Sequence, residues 1–387
     1  MKYQYFSADD HVVESPDCYV SRLPQALQEQ APRIRTIDGS DMWVVGDQTL
    51  APACRTGSMV GIPLAERGDR EETRATYESI RPGVWQPAAR ARDFDDHAVY
   101  GGVLFPDFFS SFGNPFYTLG ERYDLRLACV RAHNDYVVEE FCAGAPGRYV
   151  PLALLPVWSI EDSVAEVQRV ARIGHKGVCW GGSMDMFGMP WVGDLHWDPL
   201  WAAIQGADLV LAMHRFGQGA QINRSTLPKD RSHAMRLVGT GNAMSAAIYP
   251  TNELIASGVL ERFPRMKVLV AEAGATWLPY VLQQLDWHVD QVVANAGAHL
   301  SMLPSDYARR QVWTCFWYEK ISATTLELLG EDKVCWQSDY PHPQCTWPLV
   351  EQTANYCLEP IQDERQRKML RYENIARLFG VDTSNFE

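Results

Sequence analysis

The sequence predicts an α/β fold, a (β/α)8 TIM barrel with long insertions after strands 1 and 5. Three observations carry that expectation. Eight short β-type runs occur at 5–8, 101–105, 149–154, 177–180, 209–213, 268–271, 312–315 and 334–337; segments of helical periodicity lie between most of them; and no repeat, low-complexity stretch or linker divides the 387 residues. Strands alternating with helices build a parallel sheet, and eight such units over this length point to a closed barrel rather than an open doubly wound sheet. A single domain over 1–387 is expected, with insertions at about 15–98 and 215–262.

Taken in order, the opening run Tyr-Phe-Ser-Ala ends at two acids. The insertion behind it holds a β-like piece, MWVVGDQTLAPA at 42–53, and an Arg/Glu-rich stretch at 66–92. Gly-Gly-Val-Leu-Phe forms the second run, followed by a periodic segment at 121–142 that reads as a helix. The third run precedes a helix at 160–172, and the fourth, Gly-Val-Cys-Trp, precedes one at 198–204. Leu-Val-Leu-Ala-Met at 209–213 is wholly apolar, the composition of a strand covered on both faces. Beyond the second insertion, helices at 252–262 and 276–295 flank the sixth run; a helix at 323–329 separates the last two, and one at 362–379 closes the chain. Long loops on a rigid barrel usually wall the site, which forms at the strand C-termini.

Hydrophobic residues make up 46% and charged residues 21%, enough apolar material for a large core. A net charge of -13 without any basic run excludes a nucleic-acid partner, since the phosphate backbone would be repelled. No apolar run approaches bilayer length and the start lacks a signal-peptide core, so a cytoplasmic protein with no membrane contact is expected. The nine scattered cysteines contain no C-x-x-C pair and read as reduced core residues.

Chemistry gathers where strands end. Asp9 and His11 stand two apart at the end of the first strand, so both can face one ion; the plainer alternative is a turn begun by Asp9 and capped by His11. His214 terminates the fifth run, where it is either a core histidine or a ligand. Asp339 follows the eighth run, as a ligand or as a helix N-cap, with His342 just after it. Three strands delivering nitrogen or oxygen donors to one end suggest a catalytic metal site with an open position. Glu272 ends the sixth run, and a carboxylate there is costly to bury without a metal, a cation or a proton; an arginine salt bridge is the alternative. His342 and His233 are further candidates for proton transfer or substrate binding. Of 13 tryptophans, Trp180, Trp277, Trp317 and Trp347 fall at or past strand ends, where they either wall an aromatic or cyclic substrate or pack the core.

The Asp-x-His start, the strand ending in His214, the Phe-Pro-x-x-Lys-Val strand at 263–268, Ser-Asp-Tyr-Pro-His at 338–342 and Glu-Asn-Ile-Ala-Arg-Leu-Phe-Gly at 373–380 resemble the amidohydrolase-related family. That family includes aminocarboxymuconate semialdehyde and resorcylate-type decarboxylases. The resemblance implies one divalent ion, zinc first and manganese second, held by Asp9, His11, His214 and Asp339, in a homodimer acting on a small molecule. Two departures stand out: Asp9 occupies the place of a usual His or Glu, and Glu272-Ala273-Gly274 that of a usual His-x-Gly. Hydrolysis by a metal-activated water is the expected reaction, with Asp339, Glu272 and His342 as catalytic groups, because a carboxylate at 272 suits a water nucleophile and repels an anionic substrate. Nonoxidative decarboxylation of an aromatic or unsaturated acid is the alternative.

Overall fold

The computed structural model describes residues 2–67, 74–107, 119–182, 184–214, 237–238, 241, 247–292 and 294–387. Eight strands pair in parallel in the order β1 (Tyr5–Val12), β5 (Val99–Pro106), β6 (Tyr149–Ala153), β7 (Gly177–Trp180), β8 (Val210–His214), β9 (Lys267–Ala271), β10 (Val312–Phe316) and β11 (Val334–Trp336). The two ends of this sheet meet. Past β11, Asp339 N donates to Asp9 O at 2.7 Å and His11 N to Tyr340 O at 2.7 Å, so the barrel nearly closes at the strand C-termini. Each of the eight expected runs coincides with one of these strands.

Alternation along the strands divides the core in two. Phe6, Ala8, Val103, Phe105, Cys179, Val210, Ala212, Leu269, Ala271, Cys315 and Cys335 fill the barrel, and their neighbours Val178, Trp180, Leu211, Met213, Val268, Val270 and Trp336 face the surrounding helices. The barrel floor is completed by Ile375, Leu378 and Phe379 of the last helix, Asn374–Phe379, and by Phe386, which lies beside Phe6 near the start of β1.

The first insertion carries an antiparallel sheet, β2 (Arg33–Ile37), β3 (Ser40–Val45) and β4 (Gln48–Pro52), of which only the last two strands fall in the expected β-like piece. The expected helix at 252–262 is two, Ile248–Ala256 and Val259–Arg262, because Gly258 between them takes φ 83. The segment at 276–295 is helical from Leu278 to Trp287 and continues as a π turn, His288–Val292. Helices Pro304–Gln311 and Val350–Cys357 were not expected. All nine cysteines are free, and no helix among the described residues is long and apolar enough to cross a membrane.

Candidate metal centre

At the C-terminal mouth of the barrel the strands deliver acids and imidazoles into one buried space. In β1 the pairing with β5 slips between Ser7 and Asp10, and this extra residue resets the alternation. Phe6 and Ala8 therefore point into the barrel while Asp9 and His11 face the site above it. Ser7 Oγ receives the Ser338 N–H at 2.8 Å, tying the bulge to the segment after β11. In β8 the inward set Val210, Ala212, His214 is regular. Glu272 and Asp339 instead reach the site through left-handed backbone, φ 52 and φ 61, a conformation that costs a non-glycine residue about 1–3 kcal/mol. Regular extension would have turned Glu272 outward, since Leu269 and Ala271 are the inner residues of β9.

The distances define the cluster. His11 Nε2 lies 3.5 Å from Asp9 Oδ1 and 3.3 Å from Asp339 Oδ1; His214 Nε2 lies 3.7 Å from Asp9 Oδ2 and 3.2 Å from Glu272 Oε2. Two overlapping sets, Asp9–His11–His214 and His11–Glu272–Asp339–His342, each bring one donor atom per residue within 4.8 Å of one another. The four ligands expected from sequence thus converge, joined by Glu272 and His342.

Whether these residues suit a cation can be judged from their own bonding. His11 Nδ1 sits 3.3 Å from the Pro106 carbonyl, so the tautomer that donates there leaves the Nε2 lone pair facing two carboxylates. Lone pair against carboxylate is repulsive unless a positive charge stands between. Both carboxylate oxygens of Asp9, both of Asp339 and His11 Nε2 are buried without a hydrogen-bond partner. Burial and the negative charges of Asp339 and Glu272 push the Asp9 carboxyl well up. Burial works the same way on Asp339, but His342 and His11 outweigh it and hold that carboxyl well below the usual carboxylate range. A divalent ion suits this donor set of carboxylate oxygens and imidazole nitrogens.

His342 belongs to a different category. Its Nδ1 is 2.7 Å from Asp339 Oδ1 and its Nε2 is 3.2 Å from Asp107 Oδ1. Burial disfavours a charged ring, yet these two carboxylates raise its pKa well above the ordinary value. Each ring nitrogen thus faces a carboxylate. Glu272 is likewise tied: Gln344 Nε2 donates to its Oε1 at 2.9 Å, and its backbone N donates to Gln337 Oε1 at 3.0 Å. Beneath the site, the guanidinium of Arg90, wholly buried, donates to the carbonyls of His11, Gly83 and Val84 and fastens the first insertion to β1. Asp107, Gln344, Gln337 and Arg90 were missed in the sequence.

The aromatic expectations fare differently. Trp180 is wholly buried on the outer face of β7 against Trp197 and Trp201, ring centroids 5.0 and 4.8 Å away, so it packs barrel against helix and no substrate reaches it. The period-2 alternation that turns Cys179 inward turns Trp180 out. Trp317, 3% exposed, follows β10 and stacks on Tyr318, which is 43% exposed. Trp277 precedes the helix Leu278–Trp287, half-buried against the outer core. Trp347 donates from Nε1 to Asp93 O beneath Arg81. His233 lies outside the described residues.

A parallel barrel with this buried Asp/His set at its mouth offers groups that could hold a metal ion at the end where barrels of this kind carry their sites. The chain belongs to the amidohydrolase family: the family model described as amidohydrolase matches residues 73–381, a span that includes His214, Glu272 and Asp339 but not Asp9 or His11. The chain is similar to γ-resorcylate decarboxylase of Rhizobium radiobacter, 25% identical over 277 residues, 66% of this chain and 77% of that protein. It is also similar to 2-amino-3-carboxymuconate-6-semialdehyde decarboxylase of Dictyostelium discoideum, 22% identical over 321 residues, 80% and 81% of the two chains. Among solved structures, an amidohydrolase from Mycobacterium avium subsp. paratuberculosis K-10 has the same fold, with TM-score 0.73 and 18% identity over 98% of this chain and 100% of the other.

Proposed function

We propose that the protein is a metal-dependent, nonoxidative decarboxylase of an aromatic or unsaturated carboxylic acid, and that the expected hydrolysis gives way to this alternative. The observation that carries the reading is the bonding of Glu272. Gln344 Nε2 donates to its Oε1 and its Oε2 lies 3.2 Å from His214 Nε2, so the carboxylate that suited a water nucleophile in the sequence is tied to a neighbouring amide on one side and crowded against a proposed metal ligand on the other. The relatives named as decarboxylases support the same choice.

Asp9, His11, His214 and Asp339 would hold the ion, zinc or manganese, which would supply Lewis acidity toward an anionic substrate. The chain's own residues do the rest. A proton held by His342 Nδ1, 2.7 Å from Asp339 Oδ1, passes by way of Asp339 to the carbon that loses its carboxylate. Burial of the cluster keeps bulk water from the carbanion-like centre. Trp277 and Trp317 are proposed at the rim of the substrate space. A homodimer, a cytoplasmic location and a single domain over the whole chain belong to the same proposal, and sedimentation velocity tests the first of them.

The deciding measurement is product chemistry. Hydroxylated benzoates and unsaturated dicarboxylates should release one CO₂ per turnover with no ¹⁸O from labelled water in the organic product. Label incorporation without CO₂, from a lactone or amide, would overturn decarboxylation and restore hydrolysis.

A further inference from the structure

His342 is held on three sides by groups from three separate parts of the chain. Asp339 faces Nδ1, Asp107 faces Nε2, and the ring lies over His11 with centroids 3.9 Å apart and planes 29° apart. Asp107 directly follows β5, and its second oxygen, Oδ2, accepts from Thr56 Oγ1 at 2.6 Å. Thr56 opens the short 3-10 turn Thr56–Met59 of the first insertion. The line Thr56–Asp107–His342–Asp339 therefore runs from the insertion, across the end of β5, to a proposed metal ligand.

We infer that Asp107, locked by Thr56, is a positioning residue that fixes the His342 ring against Asp339, so that the first insertion is part of the catalytic apparatus rather than a cover over it. The inference rests on the decarboxylase reading only for the identity of the proton that Asp339 carries. An imidazole with one carboxylate at Nδ1 still turns about its Cβ–Cγ bond within the broad two-fold well of that torsion. A second carboxylate at Nε2 removes that freedom, because rotation breaks the hydrogen bond to Asp107 and the close ion pair with Asp339 at once. Thr56 does for Asp107 what Asp107 does for His342: its hydroxyl occupies the oxygen that Asp107 does not aim at the ring. Partners of this outer kind typically contribute about 10–100-fold to activity or metal affinity.

The test is a double-mutant cycle on the full-length, metal-loaded enzyme. Asp107→Asn keeps an acceptor for Thr56 and removes the charge opposite Nε2; kcat should fall about 10–100-fold with KM changed less than about threefold. In a His342→Gln background the same change should cost nothing further, since it acts only through the ring. Thr56→Val should lower kcat by a smaller factor and Thr56→Ser should restore it, and this pair decides the matter if Asp107→Asn fails to fold. Crystal structures give a reading independent of turnover: the His342 ring should leave its stack on His11 in Asp107→Asn and keep it in Thr56→Ser. Losses that multiply in the double variant, Asp107→Asn within about twofold of wild type, Thr56→Ser no better than Thr56→Val, or a ring unmoved in Asp107→Asn would each overturn the inference. Absence of CO₂ from the wild type would instead sink the decarboxylase reading and leave the ring geometry to be judged by the crystal structures.

Discussion

At the scale of single residues, the site is a problem of charge. Asp9, Glu272 and Asp339 crowd the space around His11 and His214, and removing one proposed ligand should empty the site while leaving the core untouched. His214→Ala and Asp339→Ala are each expected to lose bound metal and to reduce turnover by more than the roughly 10–100-fold typical of outer partners, with unchanged circular dichroism. Turnover within about tenfold of wild type for both, at full folding, would rule the ligand set out. Stripping the ion with a strong chelator should lower Tm, and zinc or manganese should restore it in a concentration-dependent way, because the ion binds only the folded cluster. Most of this cluster was legible in the sequence, since Asp9, His11, His214, Glu272 and Asp339 all follow apolar strand runs. Asp107 obeys the same rule and was passed over because Pro106 closes its strand before it. Gln344 gave no signal of any kind: it meets Glu272 across 72 residues, only because the turn after His342 folds back over β9.

At the scale of elements, the eight barrel strands were readable because each is covered on both faces, which makes its sequence a largely apolar run. The helix Pro304–Gln311 was not, since its buried face is made of Pro304, Ser305, Tyr307, Ala308 and Gln311 and carries no large aliphatic side chain. Between elements, polar contacts take over from periodicity. Asn134 donates to Leu154 O at 3.1 Å and to Glu166 Oε1 at 2.8 Å, accepts from Leu154 N, and offers its own carbonyl to His175 Nε2 at 3.0 Å. Burial holds His175 down, from 6.5 to about 4. Its folded pKa is thus below its unfolded one, so between these values the unfolded chain binds more protons. The stabilisation is complete above pH 6.5 and is lost as pH falls through 4, a difference of about 3 kcal/mol. Urea midpoints measured from pH 7 to pH 4 should fall more steeply for the wild type than for His175→Gln, which cannot titrate. Equal slopes would show that this ring is not the group that charges.

At the scale of the whole molecule, the barrel separates its two tasks by end. The mouth carries strain, crowded acids and left-handed backbone at Glu272 and Asp339, whereas the floor is apolar: Phe6, Ile375, Leu378, Phe379 and Phe386, with Tyr372 stacked on Phe386 at 4.5 Å. Conformity to packing rules at the N-terminal face serves stability, and departures at the C-terminal face serve chemistry. The last helix thus matters to the site only through the fold, although its Glu-Asn-Ile-Ala-Arg-Leu-Phe-Gly sequence is part of the family pattern. Phe379→Ala would open a void where a ring 6% exposed now fills the floor, at a cost of roughly 3–5 kcal/mol. The variant should unfold at lower temperature and lower denaturant. Assayed well below its new midpoint, it should keep kcat, KM and metal content within about twofold of wild type, since the floor cavity lies a barrel's depth from Asp9 and Asp339. A large fall in kcat in protein that is fully folded by circular dichroism would mean that floor packing is transmitted through the strands to the ligands, and the division between the two ends would have to be abandoned.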